Sequence, residues 1–265
     1  MRHLVPFRTL ALAALVVQGC DASAPTPDGV LVGGRATFGG AEARAWVRTS
    51  DGTASGTPEA VGVTFGGDAL AELLASHMPM PGDPVHGMFE LPLDLPDVAG
   101  LPFDHVTLDW NPAGHEPAGL FDRPHVDVHF YLLTPSERDA ISPADPEWEA
   151  KLAARPEPRY VPPGYVATPG GVPRMGAHWI DTADPTYAPG GAFSEVLIYG
   201  FYDGRMGFVE PMLTEAFVGA RQGVDEALAV PEAYPAPGHY PTRYTARYDA
   251  DRGEYTVALT GLVSR

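Results

Sequence analysis

Three of the chain's nine histidines, His115, His125 and His129, fall inside the single stretch WNPAGHEPAGLFDRPHVDVHFYLL (residues 110–133), together with Glu116, Asp122 and Asp127. Imidazole and carboxylate side chains gathered this closely are the raw material of metal ligation and of proton transfer. The first half of the stretch is punctuated by Pro112, Gly114, Pro117, Gly119 and Pro124 and reads as a loop. The second half alternates as a strand does, so His125, Asp127, His129 and Tyr131 share one face while Val126, Val128, Phe130 and Leu132 line the other.

Strand geometry sets what this polar face can do. Positions two apart lie ~6.6 Å from each other, within reach of one ion, whereas positions four apart lie ~13 Å away and meet only across a bend or bulge. The first ligand pair is therefore His125 with Asp127, or Asp127 with His129. The histidine left over is an outer partner, an acid–base group or a substrate contact. Further donors must come from elsewhere: His115 and Glu116 from the preceding loop, His178 in MGAHWID, and Glu210 in FVEPM at the end of an expected strand. With no thiolate among them, this set suits a divalent transition metal, zinc first, with iron or manganese as alternatives. A metal-free reading stands beside it, in which Asp127 orients two histidines by hydrogen bonds and Tyr131 continues the ladder. His77, His86, His105 and His239 have no further ligand pattern around them and are assigned to surface or core.

The elements needed to position these residues are mostly strands and turns. Short strands are expected at 30–37, 43–49, 61–65, 105–110 and 125–133, with a hairpin across Gly39-Gly40. Two more hairpins are expected, 193–202 with 206–209 around Asp203-Gly204, and 240–248 with 254–262 around Asp251-Arg252-Gly253. Helices are expected at 69–77 behind Asp68, at 136–141, and at 146–155 with Asp145 as cap. Residues 156–175, rich in proline and glycine, are expected to be irregular. The 29 prolines and 30 glycines suit a loop-rich scaffold. The fold class is mainly β (α+β), a β-sandwich or barrel-like domain with a few short helices and long Pro/Gly-rich loops.

The amino terminus reads as an address. Arg2, His3 and Arg8 precede the apolar run 10–17, too short to span a bilayer, and Val17-Gln18-Gly19-Cys20 follows as a lipobox. Cys20, the only cysteine, is then the lipidated residue, and no thiol is left for disulfides or nucleophilic catalysis. Residues 1–19 are read as a lipoprotein signal peptide, 20–29 as a tether, and 30–265 as one β-rich domain. The protein is expected in the cell envelope, lipid-anchored, on the periplasmic or extracellular face.

With 34 acidic against 17 basic residues the net charge is −17. Such a surface repels phosphate backbones and excludes nucleic acid as a partner. It also makes the lipid, rather than the protein surface, the membrane contact. A homo-oligomer and a small-molecule ligand of unspecified identity complete the expected partners. Gly-x-Ser-x-Gly, a lysine-ending phosphate loop and HExxH are all missing from the sequence. Asp181, Asp184 and Glu195 are carboxylates whose separation the sequence does not set.

The blocks WNPAGHEP, PHVDVHFY, MGAHWID and FVEPM, spaced between about Val32 and Thr214, resemble a family of uncharacterised bacterial proteins. Its namesake is a Thermus protein controlled by an extracytoplasmic sigma/anti-sigma pair. The resemblance implies an exported protein, often a lipoprotein, with a β-rich domain and no established activity. Its blocks fall on His115, Glu116, His125, Asp127, His129, His178, Asp181, Glu210 and Met212. Two functional readings follow: an exported metal-binding lipoprotein whose reaction is open, and a non-catalytic envelope or stress-linked lipoprotein whose His/Asp cluster is structural.

Overall fold

Alternation of apolar and polar residues builds two antiparallel sheets whose apolar faces meet. The computed structural model describes residues 28–38, 40–68, 89–115, 117 and 119–265. The expected signal peptide, Cys20, most of the tether, the 69–77 helix and Glu116 lie outside the described residues.

The strands run β1 (Val30–Phe38), β2 (Ala41–Thr49), β3 (Pro58–Gly66), β4 (Phe89–Asp94), β5 (His105–Asn111), β6 (His125–Tyr131), β7 (Tyr165–Ala167) and β8 (Ala177–Asp181). They continue as β9 (Glu195–Tyr202), β10 (Arg205–Thr214), β11 (Val224–Ala227), β12 (His239–Tyr240), β13 (Arg243–Asp249), β14 (Glu254–Thr260) and β15 (Val263–Ser264). One sheet has six strands in the order β1-β2-β3-β14-β13-β11, the other seven in the order β4-β5-β6-β10-β9-β8-β7, and β12 pairs with β15. The mainly β expectation holds as a sandwich. Neither sheet closes on itself, so the barrel alternative falls.

The core lies between the sheets. Val61, Val63 and Phe65 of β3 and Tyr255, Val257 and Leu259 of β14 meet Val106, Leu108 and Trp110 of β5 and Val126, Val128 and Phe130 of β6 in one apolar cluster. Each such side chain removed from water contributes ~1.5–3 kcal/mol, set against the conformational entropy lost on ordering it. The hairpin turn between β9 and β10 uses Asp203 and Gly204, both at positive φ (51° and 70°), the backbone that matches the twist of the flanking strands.

Strand β10 runs further than expected. It continues through Glu210 and Pro211 to Thr214, in the middle of the seven-stranded sheet. Its pairing with β6 holds on both sides of these two residues, from Val209↔Phe130 to Met212↔Asp127, but not at them. Proline has no N–H to give the ladder, which explains a local gap without ending the strand.

Among the described residues the helices are short: α1 (Pro135–Asp139), α2 (Trp148–Ala153) and α3 (Glu215–Gly219). Thr134 and Glu137 form a reciprocal capping box at the start of α1. Helix α2 begins two residues later than expected. Asp145 receives the Glu147 N–H, while Glu147 stands at the N-cap with no side-chain cap bond. Residues 156–175 are largely irregular, interrupted by a 3-10 turn at Pro158–Tyr160 and by β7.

The outer face of the seven-stranded sheet decides the rest. An antiparallel sheet commonly leaves one face to water, yet here connections cover it. Phe121 and Phe193 pack on Val196, Ile198 and Met212; Met175 packs with Tyr131 and Phe208; and Ile141 and Trp148 pack with Leu133. The polar ladder of β6 is therefore buried: His125 and His129 are 0 % exposed and Asp127 2 %.

Candidate metal centre

Strand β6 lies between β5 and β10, so its polar face has neighbours on both sides. Asn111 stands opposite His125, Asp109 opposite Asp127, Thr107 opposite His129 and His105 opposite Tyr131. On the other side Met212 stands opposite Asp127 and Phe208 opposite Tyr131, placing Glu210 on the same face.

His115 reaches this face because its loop folds back on itself. Gly114 sits at φ +71°, where a side chain is strained, and a Cβ there would lie 2.1 Å from the Phe121 carbonyl oxygen. The His115 N–H donates to that same carbonyl at 2.9 Å, and the Phe121 ring anchors the loop against Phe193 at 5.0 Å between centroids. The His115 ring then stands edge-on to His125, 4.7 Å between centroids.

The outcome is a group of three donors. His115, His125 and Asp127 each offer one ligand atom, all within 4.8 Å of one another. His125 Nε2 lies 3.2 Å from Asp127 Oδ1, and His115 Nε2 lies 3.5 Å from Asp127 Oδ2. Two donors on a tetrahedral ion with bonds of ~2.0–2.1 Å are ~3.3 Å apart; each histidine stands at about that spacing from Asp127, His125 from Oδ1 and His115 from Oδ2. The Nδ1 of His125 is tied to the Arg123 carbonyl at 2.6 Å, which leaves Nε2 as the nitrogen turned to the cluster. Asn111 donates its amide to Asp127 Oδ2 at 2.7 Å and holds the carboxylate in place. Burial works to raise the Asp127 carboxyl, but His125, His115 and His129 outweigh it and hold it down to about 2.

His129 belongs to a different neighbourhood. Its Nδ1 is 3.0 Å from Asp109 Oδ2 and its Nε2 is 3.3 Å from Glu210 Oε2. Burial opposes a charge on this imidazole, yet the carboxylates of Glu210 and Asp109 keep it well above the usual histidine range. Burial pushes the Glu210 carboxyl up to about 7 against the pull of His129. His178, on β8, rests against Phe208 with ring centroids 5.8 Å apart, and its Nε2 is buried. Burial, then the positive neighbours His129 and His115, holds it down to about 3, in the neutral form that metals bind. Gly200 makes room for that Phe208 ring, since a Cβ there would lie 2.0 Å from Phe208 Cε1.

Of the seven residues expected to bind metal, the structure thus brings His115, His125 and Asp127 into one group. It sets His129 against Glu210, leaves His178 nearby on β8, and does not describe Glu116. Asp181 turns to the Ala183 N–H, and Met212 is packed against apolar side chains.

Sequence reasoning missed Asp109 and Asn111. Both lie on the buried polar face, and HVTLDWN carries the signal, because it alternates polar and apolar residues as HVDVHFY does. Asp181, Asp184 and Glu195 come together with Glu226 in a cleft between the sheets, beside Tyr165 and Tyr244. The Tyr244 hydroxyl donates to Glu195.

Residues 53–110 match the family described as TTHB210-like, hypothetical protein TTHB210. No curated protein and no solved structure matches the chain. Over the 53–110 segment, which ends with β5 at the edge of the site, the chain is therefore similar to a family of hypothetical proteins.

Proposed function

We propose that the chain is an exported, lipid-anchored protein that binds a divalent transition metal, zinc first, at His115, His125 and Asp127. The convergence of these three donors within 4.8 Å carries the reading. The tying of His125 Nδ1 to Arg123 supports it, because it turns Nε2 toward the other two donors. Three protein donors leave a tetrahedral ion one exchangeable position, in which it supplies Lewis acidity. Around it, Asn111 orients Asp127, and Phe121 and Phe193 pack together beside the group. The anchor rests on the lipobox ending at Cys20, which supports a location at the envelope.

One observation favours the second reading, a structural and non-catalytic network. Asp127 already accepts from Asn111 and lies 3.5 and 3.2 Å from His115 and His125, so protein groups alone give its carboxylate partners. Elemental analysis of the full chain, purified without added histidines, separates the two. The metal reading expects at least one equivalent of a single transition metal and loss of one equivalent in His125→Ala. No bound metal after dialysis against zinc, iron and manganese would overturn it and leave the network.

A further inference from the structure

A second set of donors on the same buried face is unused by the His115–His125–Asp127 group. His129 stands two positions along β6, fully buried between carboxylates from both neighbouring strands: Asp109 of β5 at 3.0 Å and Glu210 of β10 at 3.3 Å. Neither contact has hydrogen-bond geometry. Both ring nitrogens of His129, both carboxylate oxygens of Asp109 and Oε2 of Glu210 are buried without a hydrogen-bond partner. Native interiors rarely leave one such atom unpaired, and five of them facing one another call for something between them.

His178 Nε2 is likewise buried and unpartnered, and its ring and that of His129 rest on the same Phe208 ring, at 5.8 and 4.8 Å. The 3.3 Å from His129 Nε2 to Glu210 Oε2 again equals the edge of a tetrahedral ion with bonds of ~2.0–2.1 Å. On its other nitrogen His129 meets Asp109, the arrangement in which an outer carboxylate fixes a metal-binding imidazole.

We infer that this face takes two divalent transition ions, the second held by His129 and Glu210 with Asp109 orienting His129; His178 shares the face but stands outside the 4.8 Å donor spacing that gathers His115, His125 and Asp127. The inference rests on the reading of the neighbouring group as a metal centre. Two ions on one buried face form the kind of site that clamps an oxygen-rich substrate group from two sides. The ligand class at the second position is the same as at the first, a borderline transition ion favouring nitrogen and oxygen donors.

The test is a Co2+ titration of the full, chelator-stripped chain, followed by visible absorption and by elemental analysis after desalting. Wild type is expected to bind two equivalents. Glu210→Gln and His129→Gln should each leave one, and His115→Ala should also leave one, with a different absorption band. Glu210→Gln is nearly isosteric and carries the test if His129→Gln fails to fold. One equivalent that Glu210→Gln leaves untouched would overturn the second ion while preserving the first. One equivalent lost in both Glu210→Gln and His115→Ala would mean a single shared ion and would also overturn it. No bound cobalt at all would overturn the inference together with the metal reading beneath it.

Discussion

His125 Nε2 and Asp127 Oδ1 lie 3.2 Å apart, although they belong to residues whose backbones are ~6.6 Å apart on a strand. Each side chain is steered from behind, His125 by the Arg123 carbonyl and Asp127 by the Asn111 amide. A pair leaning together under such control presents two donors to one point before any ion arrives, which lowers the ordering cost of binding.

Asp127→Asn preserves the shape of this pair and removes its charge. Zinc affinity, measured by competition with a chromophoric chelator, should fall by more than the roughly 10–100-fold typical of losing an outer partner, with the circular dichroism spectrum unchanged. Unaltered affinity would show that Asp127 is not a ligand.

Gly114 tests whether the loop matters. Its φ of +71° and the 2.1 Å approach to the Phe121 carbonyl leave no room for a Cβ. Gly114→Ala should displace His115, weakening metal binding in isothermal titration while costing only about 1–3 kcal/mol of stability. Full affinity in this variant would mean that His115 contributes no donor.

The depressed Asp127 carboxyl makes a statement about acid stability of the ion-free protein. Its folded value of about 2 lies below the ordinary carboxyl range. Its contribution is therefore complete above about pH 4 and is lost as pH falls through about 2. The unfolding free energy from urea titrations across that window should drop by on the order of 2 kcal/mol. Asp127→Asn should lack this part of the slope, and identical slopes in the two proteins would contradict the ion pairing.

Glu195 works in the opposite sense. Burial first, then the charges of Glu226 and Asp184, pushes its carboxyl up to about 7. The stability linked to this raised value is complete below about pH 4.5 and is lost as pH rises through about 7. Glu195→Gln should flatten the fall in thermal midpoint between pH 5 and 8. If the fall persists undiminished, another group causes it.

Cys20→Ser addresses the anchor. Under the proposed lipid anchor, cell fractionation should move the variant from the membrane to the soluble fraction, because the proposal rests the attachment on this one residue. Retention in the membrane fraction would remove the lipoprotein proposal without touching the metal site.

Much of the fold was legible because strands declare themselves locally. The alternation in HVDVHFY predicted which side chains share a face, and the Asp203-Gly204 turn predicted its hairpin, since both depend on residues adjacent in sequence. The site was legible only in part. Asp109 went unremarked as a lone acid on a strand whose one histidine, His105, stands four positions away, and Pro211 made β10 look finished one residue before Glu210.

What the sequence determined by itself is the chemistry of one face: imidazoles and carboxylates two residues apart on a strand, with valines and a phenylalanine behind them. Tertiary structure alone decided how those groups are shared. Register placed Asp109 and Glu210 on either side of His129, and a loop closed by Gly114 and Phe121 delivered His115 to Asp127 instead. It also decided that the polar face is buried, because Phe121, Phe193 and Met175 arrive from connections distant along the chain. Side-chain period is a property of neighbours in one strand. Strand register and loop packing depend on contacts between residues far apart in sequence, which no local pattern encodes.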